Sequence, residues 1–261
     1  MTSSASVQVV AKGAAEVTDA RKAGRWLARP ARAAAVLVLL ATIAGSLAML
    51  AHTPAGIPML DGSALAVLDL HTNAALNDTM TLLTSFGDEV TLICIFVALV
   101  GWAYATRGLW WARFFMVVMA GALAFDNIVK PMVGRPRPIF DQLVNGRGPS
   151  WPSGHTTGTT ALLFTLALYA SAGRGRGLRF ALWGVALAGS IVMGATRVYL
   201  GVHWPTDVVA GIVLGISWVA VCAHLPLEAS SRGQAGQAYF RRSVAGILFS
   251  LAAAGTVTFL F

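Results

Sequence analysis

The stretch RVYLGVHWPTD, residues 197–207, sets an arginine, a histidine and an aspartate into an apolar chain, with five and then three residues between them. Pro205 suits the first turn of a helix, which puts His203 just ahead of that helix and Asp207 within its opening turn. An aspartate so placed can accept a hydrogen bond from one imidazole nitrogen, fix the tautomer and leave the other nitrogen free as a nucleophile or base. It can equally be a plain dipole partner for the helix start. In WPSGHTTG, residues 151–158, Ser153 reads as the N-cap of a threonine-rich and then apolar helix, and Gly154 leaves the first amides unobstructed for an anion. Ordinary capping, with His155 as an interfacial polar residue, accounts for the same letters. In KPMVGRPRP, residues 130–138, Lys130 ends a helix and Pro131 stops its continuation. Pro136 and Pro138 stiffen the chain beyond it, so Lys130 and Arg137 are held. Snorkelling to anionic headgroups is the alternative for these two cations.

Together the three segments supply fixed cations, a helix N-terminus and two imidazoles, one with a carboxylate behind it. Phosphoryl transfer calls for such a set, because the migrating group spreads its charge over three oxygens and catalysis is mostly positioning and electrostatic stabilisation. No carboxylate cluster suited to magnesium accompanies them, so arginine and lysine would do a metal's work. The expectation is a metal-independent reaction without a cofactor, through a covalent histidine intermediate.

The elements that must position these residues are membrane helices. Of the 261 residues, 56% are hydrophobic and 11% are charged, against roughly 25% charged in a soluble domain. Apolar runs long enough to cross a bilayer, about 17 to 25 residues, recur after residue 32. The expected architecture is an all-α, polytopic integral membrane bundle with spans near 33–51, 90–106, 114–129, 156–172, 180–195, 208–223 and 244–261. Six form the core and the seventh is a C-terminal addition. Residues 1–32 read as a basic cytoplasmic arm and 33–261 as one membrane domain, its motif-bearing core at about 70–223. The loop before the second span, residues 53–89, has room for one or two interfacial helices, with the apolar periodicity for one in LNDTMTLLTSFGDEV.

The net charge of +8 reflects topology rather than nucleic-acid binding. Six basic residues precede the first span, and alternate threading brings fourteen of the nineteen to one side, the cytoplasmic one. The first span lacks a cleavage site and is expected to stay as an anchor. Lys130, Arg135, Arg137, Arg147 and Arg197 fall on the opposite, extracytoplasmic side and need another reason to be there. Cys94 and Cys222 lie in apolar segments and suggest neither a disulfide framework nor a metal site. Arginine outnumbers lysine sixteen to three and alanine and glycine abound, as in a GC-rich bacterial genome, and the expected location is the bacterial inner membrane.

Lys130 with Arg137 and Pro138 fits K-x6-R-P, residues 152–155 read P-S-G-H, and Arg197, His203 and Asp207 fit R-x5-H-x3-D. These resemble the three signature motifs of the type 2 phosphatidic acid phosphatase superfamily, over residues from about 70 to 223. The resemblance implies that His203 attacks phosphorus with Asp207 orienting it, and that His155 protonates the leaving oxygen before water releases phosphate. Lys130, Arg137 and Arg197, with Ser153 and the Gly154 amide, would grip the oxygens. The serine usual before the third motif's arginine is Thr196 here, which keeps the hydroxyl.

A site at the outer headgroup level would take a phosphate on a membrane-held tail. Undecaprenyl diphosphate, hydrolysed to the monophosphate for envelope synthesis, is the leading candidate. Phosphatidate, phosphatidylglycerophosphate and lipid A phosphates would meet the same cations. A phosphotransferase passing the group to a lipid acceptor is a related alternative. A transporter would distribute charge through the depth of its spans, whereas the span centres here are nearly empty of it.

Overall fold

The computed structural model describes residues 61, 73–138 and 142–224. Six helices succeed one another: α1 (Ala74–Ser85), α2 (Glu89–Arg107), α3 (Leu109–Val133), α4 (Gly154–Ser171), α5 (Arg176–Tyr199) and α6 (Pro205–His224). No strand occurs among the described residues. The second to sixth expected spans each correspond to a helix, α2 to α6. The first and seventh, and the basic arm, lie outside the described residues.

Four of the helices, α2, α3, α5 and α6, are long and apolar enough to cross a bilayer. Helix α4 differs because it is central, packed against α2, α3, α5 and α6. Most of its residues are buried, and so are its threonine hydroxyls. Three of them bond locally: Thr156 Oγ1 donates to Ser153 Oγ at 2.9 Å, the Thr157 hydroxyl to the Ser153 carbonyl at 2.9 Å and the Thr165 hydroxyl to that of Ala161 at 2.7 Å. The Thr159 and Thr160 hydroxyls are buried without a hydrogen-bond partner among the described residues. Close approach is made possible by Gly211 and Gly215 on α6, a small-xxx-small pair of the kind that brings membrane helices together. A Cβ at Gly215 would come within 2.8 Å of the Thr160 Cβ and 2.9 Å of the Thr157 carbonyl oxygen.

Two expectations need correction. Pro131 does not end α3, which runs on to Val133 and stops at Gly134. Proline removes the bond to the carbonyl four residues back and crowds that carbonyl, but it leaves its own carbonyl and the residues after it free to continue for a short stretch, and α3 does so for two residues. The stop is the left-handed backbone of Gly134, φ 63°, whose N–H returns to the Lys130 carbonyl at 2.9 Å. The helix read from LNDTMTLLTSFGDEV begins earlier and ends at Ser85, with Phe86–Asp88 as a turn into α2. It is docked on α5 through the Tyr199 hydroxyl, which donates to Asn77 Oδ1 at 2.7 Å.

The up-and-down course gives the bundle two chemically different ends. At one end the α2–α3 junction gathers Trp110, Trp111, Phe114 and Phe115 around Tyr169 of α4. The Arg107 guanidinium lies 4.3 Å from the Tyr169 ring centre. The starts of α2, α4 and α6 and the ends of α3 and α5 meet at the other end.

Candidate active site

At the start of α6, Pro205 occupies the first helical position, where no N–H is needed. The Trp204 N–H is capped by the Asp207 side chain, donating to Oδ2 at 2.9 Å. The same oxygen lies 3.3 Å from His203 Nδ1. A carboxylate can only accept, so Nδ1 carries the proton and Nε2 presents its lone pair. Asp207 is wholly buried and His203 is 2% exposed. Burial pushes the His203 pKa down to about 4, against the opposing pull of the Asp207 hydrogen bond and charge; Arg137 and Arg197 lower it further. The imidazole is therefore neutral at neutral pH.

Beyond Gly134, the Arg-Pro-Arg-Pro segment is pinned as well as stiffened. The Trp204 indole donates to the Pro136 carbonyl at 3.0 Å, and the Ser150 N–H to the Arg135 carbonyl at 2.8 Å. Arg137 is held by carbonyls, donating to those of Arg147, Gly148 and Val202 at 2.7, 2.9 and 2.6 Å. Its Nη1 also reaches His203 Nε2 at 3.2 Å. Lys130 pairs with Asp126 one turn back on α3 at 2.6 Å.

Ser153 stands at the N-cap of α4 but does not cap it; its hydroxyl accepts from Thr156 Oγ1 at 2.9 Å. Its N–H donates to the Asp207 carbonyl at 3.2 Å, tying the second and third motifs together. A Cβ at Gly154 would fall 2.3 Å from Asp126 Oδ1, so a larger residue there would have to displace the carboxylate that pairs with Lys130. His155 Nε2 lies 2.8 Å from Asp88 Oδ1, at the start of α2. Arg197, 5% exposed in the last turn of α5, donates to the Thr84 hydroxyl of α1 at 2.6 Å. The Thr196 hydroxyl turns back to the Met193 carbonyl of its own helix at 2.6 Å.

These elements enclose a cavity of about 390 Å³. Lys130, Arg137, Gly154, His155, Arg197 and His203 all line it, while Ser153 and Asp207 are buried behind its wall. Arg147, on the loop after α3, adds a fourth cation. The opposite wall is apolar, formed by Leu92, Ile93 and Phe96 of α2 with Met119 and Leu123 of α3. Among the described residues no group of three or more His, Cys, Asp or Glu is arranged to hold a metal.

Sequence reasoning gave no role in the site to Asp88 or Asp61, and it flagged Arg135 without assigning it one. Asp88 lies 67 residues from its histidine, so no spacing could reveal the pair. Arg135 did carry a signal, as a cation on the side where topology disfavours one.

Comparison with known proteins gives this geometry a context. Residues 110–230 match the family model described as the PAP2 superfamily. The chain is 27% identical over 146 residues to phosphatidylglycerophosphatase B of Bacillus subtilis, covering 54% of this chain and 70% of that one. It is 32% identical over 168 residues to lipid A 1-phosphatase of Rhizobium etli, covering 54% and 68%. Among solved structures it resembles a transmembrane PAP2-type phosphatidylglycerolphosphate phosphatase from Bacillus subtilis. The TM-score is 0.63 at 26% identity, over 72% of this chain and 93% of the other.

Proposed function

The chain belongs to the PAP2 superfamily, and from that premise we propose that it removes phosphate from a lipid at the extracytoplasmic face through a phosphohistidine. The single observation that carries this reading is the shared cavity: two imidazoles, each with a carboxylate partner, among Lys130, Arg137 and Arg197.

The chemistry is set by the tautomer. His203 Nε2 donates its lone pair to phosphorus, the bond from phosphorus to the lipid oxygen breaks, and His155 gives that oxygen a proton. The imidazolium left on His203 is stabilised by Asp207. Water then attacks the phosphohistidine, His155 takes its proton, the N–P bond breaks and inorganic phosphate leaves. Lys130, Arg137 and Arg197, with the free amides at the start of α4, stabilise the equatorial oxygens, and Ser153, behind the wall, holds that helix start in place. An incoming phosphate takes over the Arg137 Nη1 that otherwise rests on His203.

A cationic end joined to an apolar wall supports a substrate whose phosphate is attached to a hydrocarbon tail. Undecaprenyl diphosphate is the proposed substrate, and the fourth cation, Arg147, suits a second phosphate. Phosphatidate, phosphatidylglycerophosphate and lipid A phosphates are the competitors, to be ranked by kcat/KM on a panel of lipids in detergent micelles.

The decisive experiment is His203→Ala with a lipid labelled in its terminal phosphate. The native protein should yield an acid-labile labelled enzyme and free phosphate, and the variant neither. Full turnover by His203→Ala would end the nucleophile assignment.

A further inference from the structure

Behind the nucleophile, Asp207 continues into a largely buried chain of charges whose other members lie outside the fixed positions of the three motifs. Asp207 Oδ1 accepts from Arg135 Nη1 at 2.6 Å, and Arg135 Nη2 donates to Asp61 Oδ2 at 2.6 Å. Asp61 belongs to the segment before α1, and like Asp207 it is wholly buried. Thr206 closes the group: its N–H donates to Asp61 Oδ1 at 3.0 Å, and its hydroxyl accepts from Arg135 Nη1 at 2.7 Å. The guanidinium lies 5.5 Å from the Trp204 ring centre, which leaves the fork little freedom. Neither Asp61 nor Arg135 lines the cavity.

We propose that Asp61 and Arg135 are positioning residues for the nucleophile, with Arg135 bridging two carboxylates so that Asp207 is fixed while one net negative charge remains behind the His203 ring. The proposal rests on the reading of His203 as nucleophile. Its logic is charge arithmetic. Asp207 buried alone would be costly and mobile. Paired with Arg135 alone it would be anchored, but the pair would be neutral and would do little for the imidazolium that forms on phosphorylation. Asp61 restores the net charge to −1. It also occupies the far half of the guanidinium, leaving Nη1 for Asp207. Planarity matters too, because one fork spans both carboxylates while a lysine ammonium is a single point.

The test measures single-turnover phosphorylation, kcat and KM for Asp61→Asn, Arg135→Lys, Arg135→Gln and Asp61→Asn/Arg135→Gln in the full-length protein, with His203→Ala in parallel. Asp61→Asn should slow phosphoenzyme formation and kcat by about 10- to 100-fold, the scale typical of partners behind a reacting group, with KM unchanged. Arg135→Lys, which keeps the charge, should not restore the rate. The double variant should be no slower than Arg135→Gln alone, because Asp61 acts through the arginine. Rates taken well below each variant's thermal midpoint separate this from loss of fold, and Asp61→Asn is the mildest change should the arginine variants fold poorly. A dead His203→Ala beside an Asp61→Asn of native kcat overturns the proposal, as does an effect confined to KM or a full rescue by lysine. An active His203→Ala instead overturns the nucleophile assignment itself.

Discussion

His203 is a histidine whose burial outweighs its carboxylate. Because desolvation pushes its pKa down to about 4, the ring stays neutral and nucleophilic well into the acid range. The acid limb of kcat/KM that belongs to His203 should therefore fall near pH 4 rather than near the ordinary 6.5. A pH series corrected for ionisation of the substrate phosphate checks this, and a His203-dependent limb at 6.5 would contradict it. Between those two values the unfolded chain binds more protons at this position than the folded one. The contribution of His203 to stability thus declines as the pH is lowered through that window. At this scale the sequence was informative wherever partners are near in the chain: Asp207 four residues from His203 could be foreseen. Asp88 with His155, and Asp61 with Arg135, join segments 67 and 74 residues apart. Only the fold makes those contacts visible.

Helix α4 shows how an element can be legible in place while its surroundings are not. Its span was evident from WPSGHTTG and the apolar run after it, but its buried threonines mark a helix surrounded by other helices rather than by lipid. Likewise Pro131 looked like a terminator, although the terminating property belongs to Gly134 three residues later. Enclosure makes the small residues of α6 structurally demanding. Gly215→Val would drive a side chain into Thr160 and the Thr157 carbonyl. Overpacking of this kind costs about 1–3 kcal/mol. A lower thermal midpoint in detergent should therefore accompany loss of activity, since α4 and α6 carry His155 and His203. Val209→Ala, at a site 56% exposed on the same helix, should change neither. Equal midpoints for the two variants would contradict the close α4–α6 packing.

Across the whole molecule, charge is sorted by end. Arg107, Arg174 and Arg176 lie where α2 meets α3 and α4 meets α5, while Lys130, Arg135, Arg137, Arg147 and Arg197 crowd the opposite end. The sequence foresaw this division from span alternation alone, which needs only the count of crossings and not their packing. With the cavity end proposed to face outward, sealed right-side-out vesicles should hydrolyse lipid phosphate in their outer leaflet without permeabilisation, releasing phosphate to the medium. Activity appearing only after permeabilisation would reverse the orientation. The one-ended placement of the cavity carries a logistical consequence. A lipid phosphatase with its cavity at the proposed end would meet substrate from a single leaflet and return its product to that same leaflet. An anionic headgroup does not readily cross hydrocarbon unaided, so any product still bearing phosphate and destined for reuse on the other face depends on a separate flipping activity.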